Sequence, residues 1–304
     1  MNKQLSLVII LFIIGFAIYF LIKNPAIFKF SFNAPLGLSP LVSTTTSPSK
    51  ESISSRPSRP PQTLPPKTQI QESPPPKITP PIGFSVEQLS PDYQKVKISS
   101  VSASSYSGNQ IFLRANYNNK NPFLVTGLRI KTNRGEIIIP QAVSDYSPSG
   151  LSLPVDIYLN PNGSINIYGS YSPIGQNLRL NKCLGYLNNI YKFSPTLPNN
   201  CPSIVENNKS KIYSLSGYCQ KYIFSLGRCQ IPRADEINFL STDYNCGEFL
   251  KDINHRSCYN DHRFEKDFFS DKWWLWTATL PLDPYHDQVR LFDKKGLLIN
   301  EYIY

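Results

Sequence analysis

All six cysteines of this 304-residue chain lie in one segment, between residues 183 and 258. An even number of clustered cysteines favours disulfides, and disulfides persist in oxidising compartments. We therefore expect three disulfides in an exported part of the chain. Six cysteines allow about fifteen pairings. The simplest is sequential, joining Cys183 to Cys201, Cys219 to Cys229 and Cys246 to Cys258.

An apolar run without a charge occupies residues 5–22, between Lys3 and Lys23. At 1.5 Å per residue, a helix of this length measures about 27 Å, enough to cross a bilayer core when flanking lysines reach the headgroups. No small-residue cleavage site follows, so residues 1–33 are predicted to be an uncleaved signal anchor rather than a cleaved signal peptide. Disulfides beyond the anchor place its amino end inside and the bulk of the chain outside the cytoplasm.

Residues 34–84 are rich in Pro, Ser and Thr, as in SSRPSRPPQTLPPK. Proline fixes φ and removes a backbone donor, and the polar residues have little apolar surface to bury. This composition predicts an extended, disordered tether with partial polyproline-II character.

Short runs of β-branched and aromatic residues then recur about every ten positions, separated by turn residues. Several alternate, with Ile111 and Leu113 in one run and Val155, Ile157 and Leu159 in another, as a sheet with one buried face requires. The pattern predicts a mainly β fold, with a sandwich preferred over a small barrel. The candidate strands are KVKISSVSA, NQIFLRANY, GLRIKT, EIIIPQA, VDIYLN, SINIYG, QVRLF and LLINEYIY.

The stretch NQIFLRANYNNKNPFLVTGLRIKTNRGEIIIP, with its turn at Val125-Thr126-Gly127, resembles the lamin tail domain family. The chain end, HDQVRLFDKKGLLINEYIY, is similar to the closing hairpin of that domain. Leu128 stands where the family usually has Trp, and Arg114 occupies a position that is commonly acidic. The resemblance covers about residues 95–182 and 285–304, and it implies an immunoglobulin-like β-sandwich.

About a hundred residues separate the two matching parts, where the family has a short connection. We therefore expect residues 85–182 and 261–304 to form the sandwich and residues 183–260 to form a cysteine-rich helical insert. Within the insert, CQKYI and CGEFL each place an aromatic and an aliphatic residue three and four positions after a cysteine. That spacing predicts two short helical hairpins.

Two candidate chemical sites lie near the end of the insert. Cys246, His255, Cys258 and His262 supply four side chains of the two types that most often bind zinc, although the close C-x2-C pair of zinc ribbons is absent. His262 is also near Glu265 and Asp267, and a carboxylate beside an imidazole can orient it for acid–base chemistry. For the four possible zinc ligands, disulfide bonding of the cysteines is the preferred interpretation. For His262 and its carboxylates, a solvated connection is preferred. We expect no metal site and no catalytic site.

Three tryptophans in DKWWLW, Trp273, Trp274 and Trp276, are candidate ligand contacts because their flat rings suit sugars or proteins. Packing between the insert and the sandwich is the preferred interpretation, since that junction needs large apolar side chains. The sequence lacks G-x-S-x-G, H-E-x-x-H, C-x-x-C and a phosphate-binding glycine loop, and it suggests no cofactor.

The chain carries a net charge of +10, but residues 85–304 contain 23 basic and 19 acidic side chains, so the anchor and tether hold most of the excess. This distribution carries no specific nucleic-acid signature. The positive charge of the anchor and tether favours contact with anionic lipid headgroups or with an anionic envelope polymer. A protein partner is the other candidate. The sequence predicts a single-pass protein of the cell membrane, better suited to a bacterial envelope than to a nuclear lamina. Its predicted role is extracytoplasmic binding or structure, and an envelope hydrolase using His262 is the alternative.

Overall fold

A computed structural model describes residues 79–104, 108–147, 152–240 and 243–304. The predicted anchor, residues 1–33, and most of the predicted tether lie outside these ranges. The strands are β1 Val96–Ser102, β2 Gln110–Ala115, β3 Phe123–Leu124, β4 Arg129–Thr132, β5 Gly135–Ile138, β6 Ala142–Val143, β7 Pro154–Val155, β8 Tyr158–Leu159, β9 Ser164–Tyr168, β10 Leu178–Asn181, β11 Phe269–Trp276, β12 Gln288–Phe292 and β13 Leu298–Ile303. The α-helices are α1 Ile204–Asn207, α2 Lys209–Tyr213, α3 Gly217–Ser225, α4 Ala234–Leu240, α5 Tyr244–Lys251 and α6 His255–His262.

The described part of the chain is mainly β, as the sequence predicts. Its strands form a seven-stranded sheet in the order β1-β2-β9-β11-β10-β6-β7, a four-stranded sheet in the order β13-β12-β4-β5, and the pair β3-β8. Each of the eight candidate segments contains a strand, whereas β3, β10 and β11 lie outside those segments. No helix of the described ranges is long and apolar enough to cross a membrane.

The two larger sheets share one apolar core. Ile111 and Ile165 of the seven-stranded sheet belong to the same buried cluster as Ile130 and Leu291 of the four-stranded sheet. The alternation seen in the sequence places these side chains on one face of each strand. Val155 departs from that alternation, with 41% of its surface exposed, because β7 is an edge strand of the sheet.

Strand β11 carries the three tryptophans and lies inside the large sheet, parallel to β9 and antiparallel to β10. Trp273 packs in the core that both sheets share, whereas Trp274 and Trp276 project from the opposite face against Tyr168. That second cluster also contains Leu184, in the 3-10 turn that begins the insert. The tryptophans are only 5–8% exposed, so less than a tenth of each surface is open to a ligand. Trp274 and Trp276 pack with the start of the insert, whereas Trp273 packs between the two sheets.

The six cysteines form three disulfides, as expected, but the sequential pairing is wrong. The bonded pairs are Cys183–Cys258, Cys201–Cys229 and Cys219–Cys246. Sequential pairing assumes that each helical hairpin closes on itself. Instead, helices α3 and α5 bury their cysteines in one shared apolar cluster, so the disulfide forms between the helices.

The helical spacing around those two cysteines is confirmed. Cys219 and Ile223 are buried on one face of α3, and Cys246 and Leu250 are buried on one face of α5. Both helices begin at a side-chain cap, since Ser216 accepts a hydrogen bond from the Cys219 amide and Asp243 accepts one from the Cys246 amide. The cap sets where each helix begins, and the spacing places its cysteine on the buried face.

Candidate functional site

A polar groove of about 250 Å³ opens on the cysteine-rich insert. Helix α1, the carboxyl end of α5 and the outer surface of α6 form its walls. Cys258, on α6, lines the groove and is bonded to Cys183, just beyond β10. The disulfide therefore attaches one wall of the groove directly to the end of a sheet strand.

Side-chain caps hold the two helices that flank the groove. Ser203 accepts a hydrogen bond from the Glu206 amide at the start of α1, and Asn254 accepts one from the Ser257 amide at the start of α6. Such caps satisfy amides that would otherwise lack a partner at a helix end. The groove is thus bounded by short helices whose ends are fixed locally.

His262 ends α6 within this groove and lies in a chain of hydrogen bonds. Its Nδ1 is 2.6 Å from Glu265 Oε1, and its Nε2 is 3.4 Å from Asn207 Nδ2. The Glu265 carboxylate accepts a hydrogen bond from Nδ1–H, which leaves Nε2 as the acceptor in the neutral ring. The chain orients the Nε2 lone pair toward Asn207, a residue of the groove wall.

Lys182 joins this chain from the end of the sheet. Its Nζ is 2.7 Å from Glu265 Oε2 and 2.6 Å from Asp267 Oδ1. The hydrogen bonds from Lys182 lower the pKa of both carboxyl groups, and His262 adds to the effect on Glu265. The two carboxylates in turn raise the pKa of Lys182, with Asp267 having the larger effect. These groups therefore remain charged across the neutral pH range.

Four other charged or amide side chains of the groove form no hydrogen bond or ion pair with any described residue. They differ in charge and include one cation, two carboxylates and one amide. They are Lys211, Asp252, Asn260 and Asp261. Sequence reasoning singled out His262 and its acidic neighbourhood but missed Lys211, Asp252, Asn260 and Asn207, because these side chains meet only when α1, α2, α5 and α6 pack.

The zinc hypothesis fails on the chemistry of its cysteines. Cys246 is bonded to Cys219 and Cys258 to Cys183, so neither sulfur is a thiolate that could bind the metal. Among the described residues, no group of three or more His, Cys, Asp or Glu side chains is arranged to hold a metal ion. His255 and His262 also have different surroundings, one buried beside tyrosines and the other in the groove.

His255 is a buried histidine with both ring nitrogens unpaired among the described residues. It is 5% exposed, and its ring lies 5.7 Å from that of Tyr146 and 6.4 Å from that of Tyr259. Burial disfavours the charged imidazolium and lowers its pKa from 6.5 to about 4. His255 is thus neutral in the folded protein at pH values where an unfolded histidine is charged.

This difference predicts acid sensitivity. As the pH falls from about 6.5 to about 4, the unfolded state binds a proton at His255 that the folded state does not bind, so the free energy of unfolding decreases. The decrease reaches about 3 kcal/mol below the folded-state pKa of His255, and it is absent above about pH 7. The His255→Phe variant should lack this part of the pH dependence when urea unfolding is followed between pH 7.5 and pH 4.

The exposed His286 supplies the matched control. His286→Gln should keep the wild-type pH profile, because this imidazole is exposed to water in the folded state, as it is in the unfolded state. A His255→Phe profile parallel to that of wild type would contradict the assignment of a buried neutral imidazole.

The chain matches no protein family model, no curated protein and no solved structure.

Proposed function

We propose that this chain is a membrane-tethered, extracytoplasmic binding module that holds an envelope polymer in the groove of its insert. The single observation that carries the proposal is the set of unpaired polar side chains in that groove, on a scaffold closed by three disulfides. Polar groups placed on a rigid scaffold lose little conformational entropy when a ligand binds. The groove is thus organised before the ligand arrives.

The composition of the groove favours a ligand rich in hydroxyl groups. Carboxylates accept hydrogen bonds from hydroxyls, amides both donate and accept, and Lys211 donates. Phe249 adds apolar surface at the same opening. This mixture is typical of sites in which a few polar groups orient a ligand against an aromatic wall. A glycan of the cell envelope has this chemistry.

The remainder of the proposal concerns how the groove is displayed. We propose that the two sheets form an immunoglobulin-like sandwich of the lamin tail type, which is supported by their shared core. The apolar run of residues 5–22 supports a membrane anchor, and the proline-rich composition of residues 34–84 supports a tether. Three disulfides support an extracytoplasmic location.

A hydrolase is the second candidate, and the pairing of His262 with Glu265 favours it. In such an enzyme His262 Nε2 would take a proton from water or from a substrate hydroxyl, and Glu265 would stabilise the resulting imidazolium. Among the described residues, however, no serine, threonine or tyrosine hydroxyl hydrogen-bonds to His262. The binding module is the simpler assignment, because it requires no nucleophile.

Binding to purified peptidoglycan sacculi tests the proposed function. The full chain, in detergent micelles, should sediment with the sacculi. The Asp252→Asn/Asp261→Asn variant should bind at least about tenfold more weakly, since each substitution weakens charge-assisted hydrogen bonds. A matched control, Glu136→Gln/Asp156→Asn, removes two exposed carboxylates on the β-sheet part and should bind like wild type.

Equal losses in the two double variants would contradict the groove as the binding site. Release of soluble fragments from the sacculi by wild type, abolished in His262→Ala, would favour the hydrolase instead. Sedimentation of wild type with no fragment release is the result that the binding module predicts.

A further inference from the structure

Three cations lie in one row across the large sheet. Lys97 of β1 is directly opposite Arg114 of β2, and Arg114 is directly opposite Ser164 of β9. Ser164 is in turn opposite Lys272 of β11. Directly opposed residues project from the same face of a sheet. The row therefore crosses four neighbouring strands, with a small serine between its second and third cation.

The row faces away from the shared core. Leu113, Ile165 and Trp273, the chain neighbours of Arg114, Ser164 and Lys272, are buried on the other face. All three cationic residues of the row are exposed, while Ser164 is buried. Strands are spaced about 4.8 Å apart, so the row extends over roughly 14 Å.

None of Lys97, Arg114 and Lys272 forms an ion pair with a carboxylate of the described ranges. Eight other basic side chains in the same ranges do form such pairs. Like charges directly opposite one another on an antiparallel pair destabilise it. The repulsion between Lys97 and Arg114 thus lowers stability slightly, and a negative partner in the row would relieve it.

The surface beside the row can recognise hydroxyl groups as well as charge. A shallow depression of about 460 Å³ has a lining that includes Lys97, Arg114, Tyr117, Asn116, Asn118 and Asn162. Tyr117 is 69% exposed and offers a flat ring of the kind that packs against sugars. Amides beside an exposed ring suit a sugar better than a simple inorganic anion.

A second depression, of about 140 Å³, lies at the other end of the row. Its lining includes Lys272, Asn181, Lys182 and Asp267. The charge of Lys182 is already balanced by Glu265 and Asp267. The side-chain nitrogen of Asn181 is buried there without a hydrogen-bond acceptor among the described residues. A buried amide that lacks an acceptor favours an oxygen-bearing ligand or a water at this position.

We propose that this row binds an anionic polysaccharide lying across β1, β2, β9 and β11. Arg114 pairs with a carboxylate, sulfate or phosphate substituent through its planar guanidinium, and Lys97 and Lys272 bind the neighbouring charges. Single-stranded nucleic acids stack successive bases on several aromatic rings, whereas Tyr117 is the one exposed ring in the depression beside Arg114. The exported location inferred from the disulfides also favours a polysaccharide.

This surface shares no residue with the groove of the insert, so the two proposals stand or fall separately. The test measures binding of the full chain, in detergent micelles, to dextran sulfate and to uncharged dextran. The test variant is Lys97→Gln/Arg114→Gln/Lys272→Gln. The matched control, Lys192→Gln/Lys221→Gln/Lys295→Gln, removes the same charge at exposed positions outside the row.

Wild type and the control variant should bind dextran sulfate with similar affinity, and neither should bind uncharged dextran. The row variant should bind at least about tenfold more weakly. Its binding should also depend less on salt, because fewer counterions are released. Its Tm should equal or exceed that of wild type, since the like-charge pair is gone. An equal loss in both triple variants, or tighter binding of oligo-dT than of dextran sulfate, would overturn the proposal.

Discussion

Removing the Cys183–Cys258 disulfide, in the double variant Cys183→Ser/Cys258→Ser, is expected to lower the free energy of unfolding by about 4 kcal/mol. The two cysteines are 75 positions apart, so their bond removes much conformational entropy from the unfolded chain. The bond also joins α6 to the end of β10, beside the buried Phe268 and Tyr259. Urea unfolding under oxidising conditions, followed by the fluorescence of the buried tryptophans, measures the loss.

The Cys219→Ser/Cys246→Ser variant is the matched comparison. Its cysteines are 27 positions apart, and the same entropy argument gives a loss of about 3.5 kcal/mol. Both variants should therefore be strongly destabilised, and the one with the longer loop should be destabilised more. A Cys183→Ser/Cys258→Ser protein within about 1 kcal/mol of wild type would contradict the role assigned to this disulfide.

The second large effect concerns the face of the sheet that carries the insert. Trp274→Ala should lower the free energy of unfolding by about 3–5 kcal/mol, the usual result of truncating a buried large aromatic side chain. The Trp274 ring packs edge-on against Tyr168, at a centroid distance of 5.0 Å, and lies 6.1 Å from Trp276. Truncation leaves a cavity between the sheet and the start of the insert. Urea unfolding of the variant measures the change.

Tyr285→Ala is the control, because this aromatic side chain is 90% exposed. Its truncation should change the free energy of unfolding by less than about 0.5 kcal/mol. Trp274→Phe, which keeps most of the ring, should fall between the two. If Trp274→Ala were no more destabilising than Tyr285→Ala, the packing of the insert on this face of the sheet would be refuted.

The strands that could be predicted from the sequence are those with a clear alternation and a turn at each end. Strand β11 lacks that signal because it lies inside the sheet, with Trp273 in one apolar cluster and Trp274 in another. A strand buried on both faces reads as a continuous apolar run, so WWLW has no period that distinguishes a strand from a helix. Its parallel pairing with β9 joins segments about a hundred residues apart, which local patterns do not encode.

The disulfide pairing shows the same limit. Helical spacing correctly indicated which face of α3 and of α5 carries the cysteine. It gave no information on which helix each face would meet, because that depends on how the whole insert packs. Nearness along the chain favoured Cys219 with Cys229, whereas burial in a common cluster brought Cys219 to Cys246.

The candidate site was only partly visible in the sequence. His262 and Glu265 are three positions apart at the end of a helix, so their contact could be anticipated from local spacing. Lys182 and Asn207 complete the same hydrogen-bond chain from distant parts of the sequence. The cation row is likewise hidden, since Lys97, Arg114 and Lys272 meet only through the register of four strands. A net charge of only +4 over residues 85–304 gave no hint of it.

The three disulfides of residues 183–258 join segments that are distant along the chain, and this pairing is the central feature of the structure. Trypsin cleaves after Lys or Arg and separates all six cysteines into different peptides. Mass spectrometry of the unreduced digest of the full chain, purified with thiols blocked, therefore identifies each bond directly. The predicted result is three linked peptide pairs, containing Cys183 with Cys258, Cys201 with Cys229 and Cys219 with Cys246. Blocked free thiols, or Cys219 linked to Cys229 and Cys246 linked to Cys258, would contradict the account.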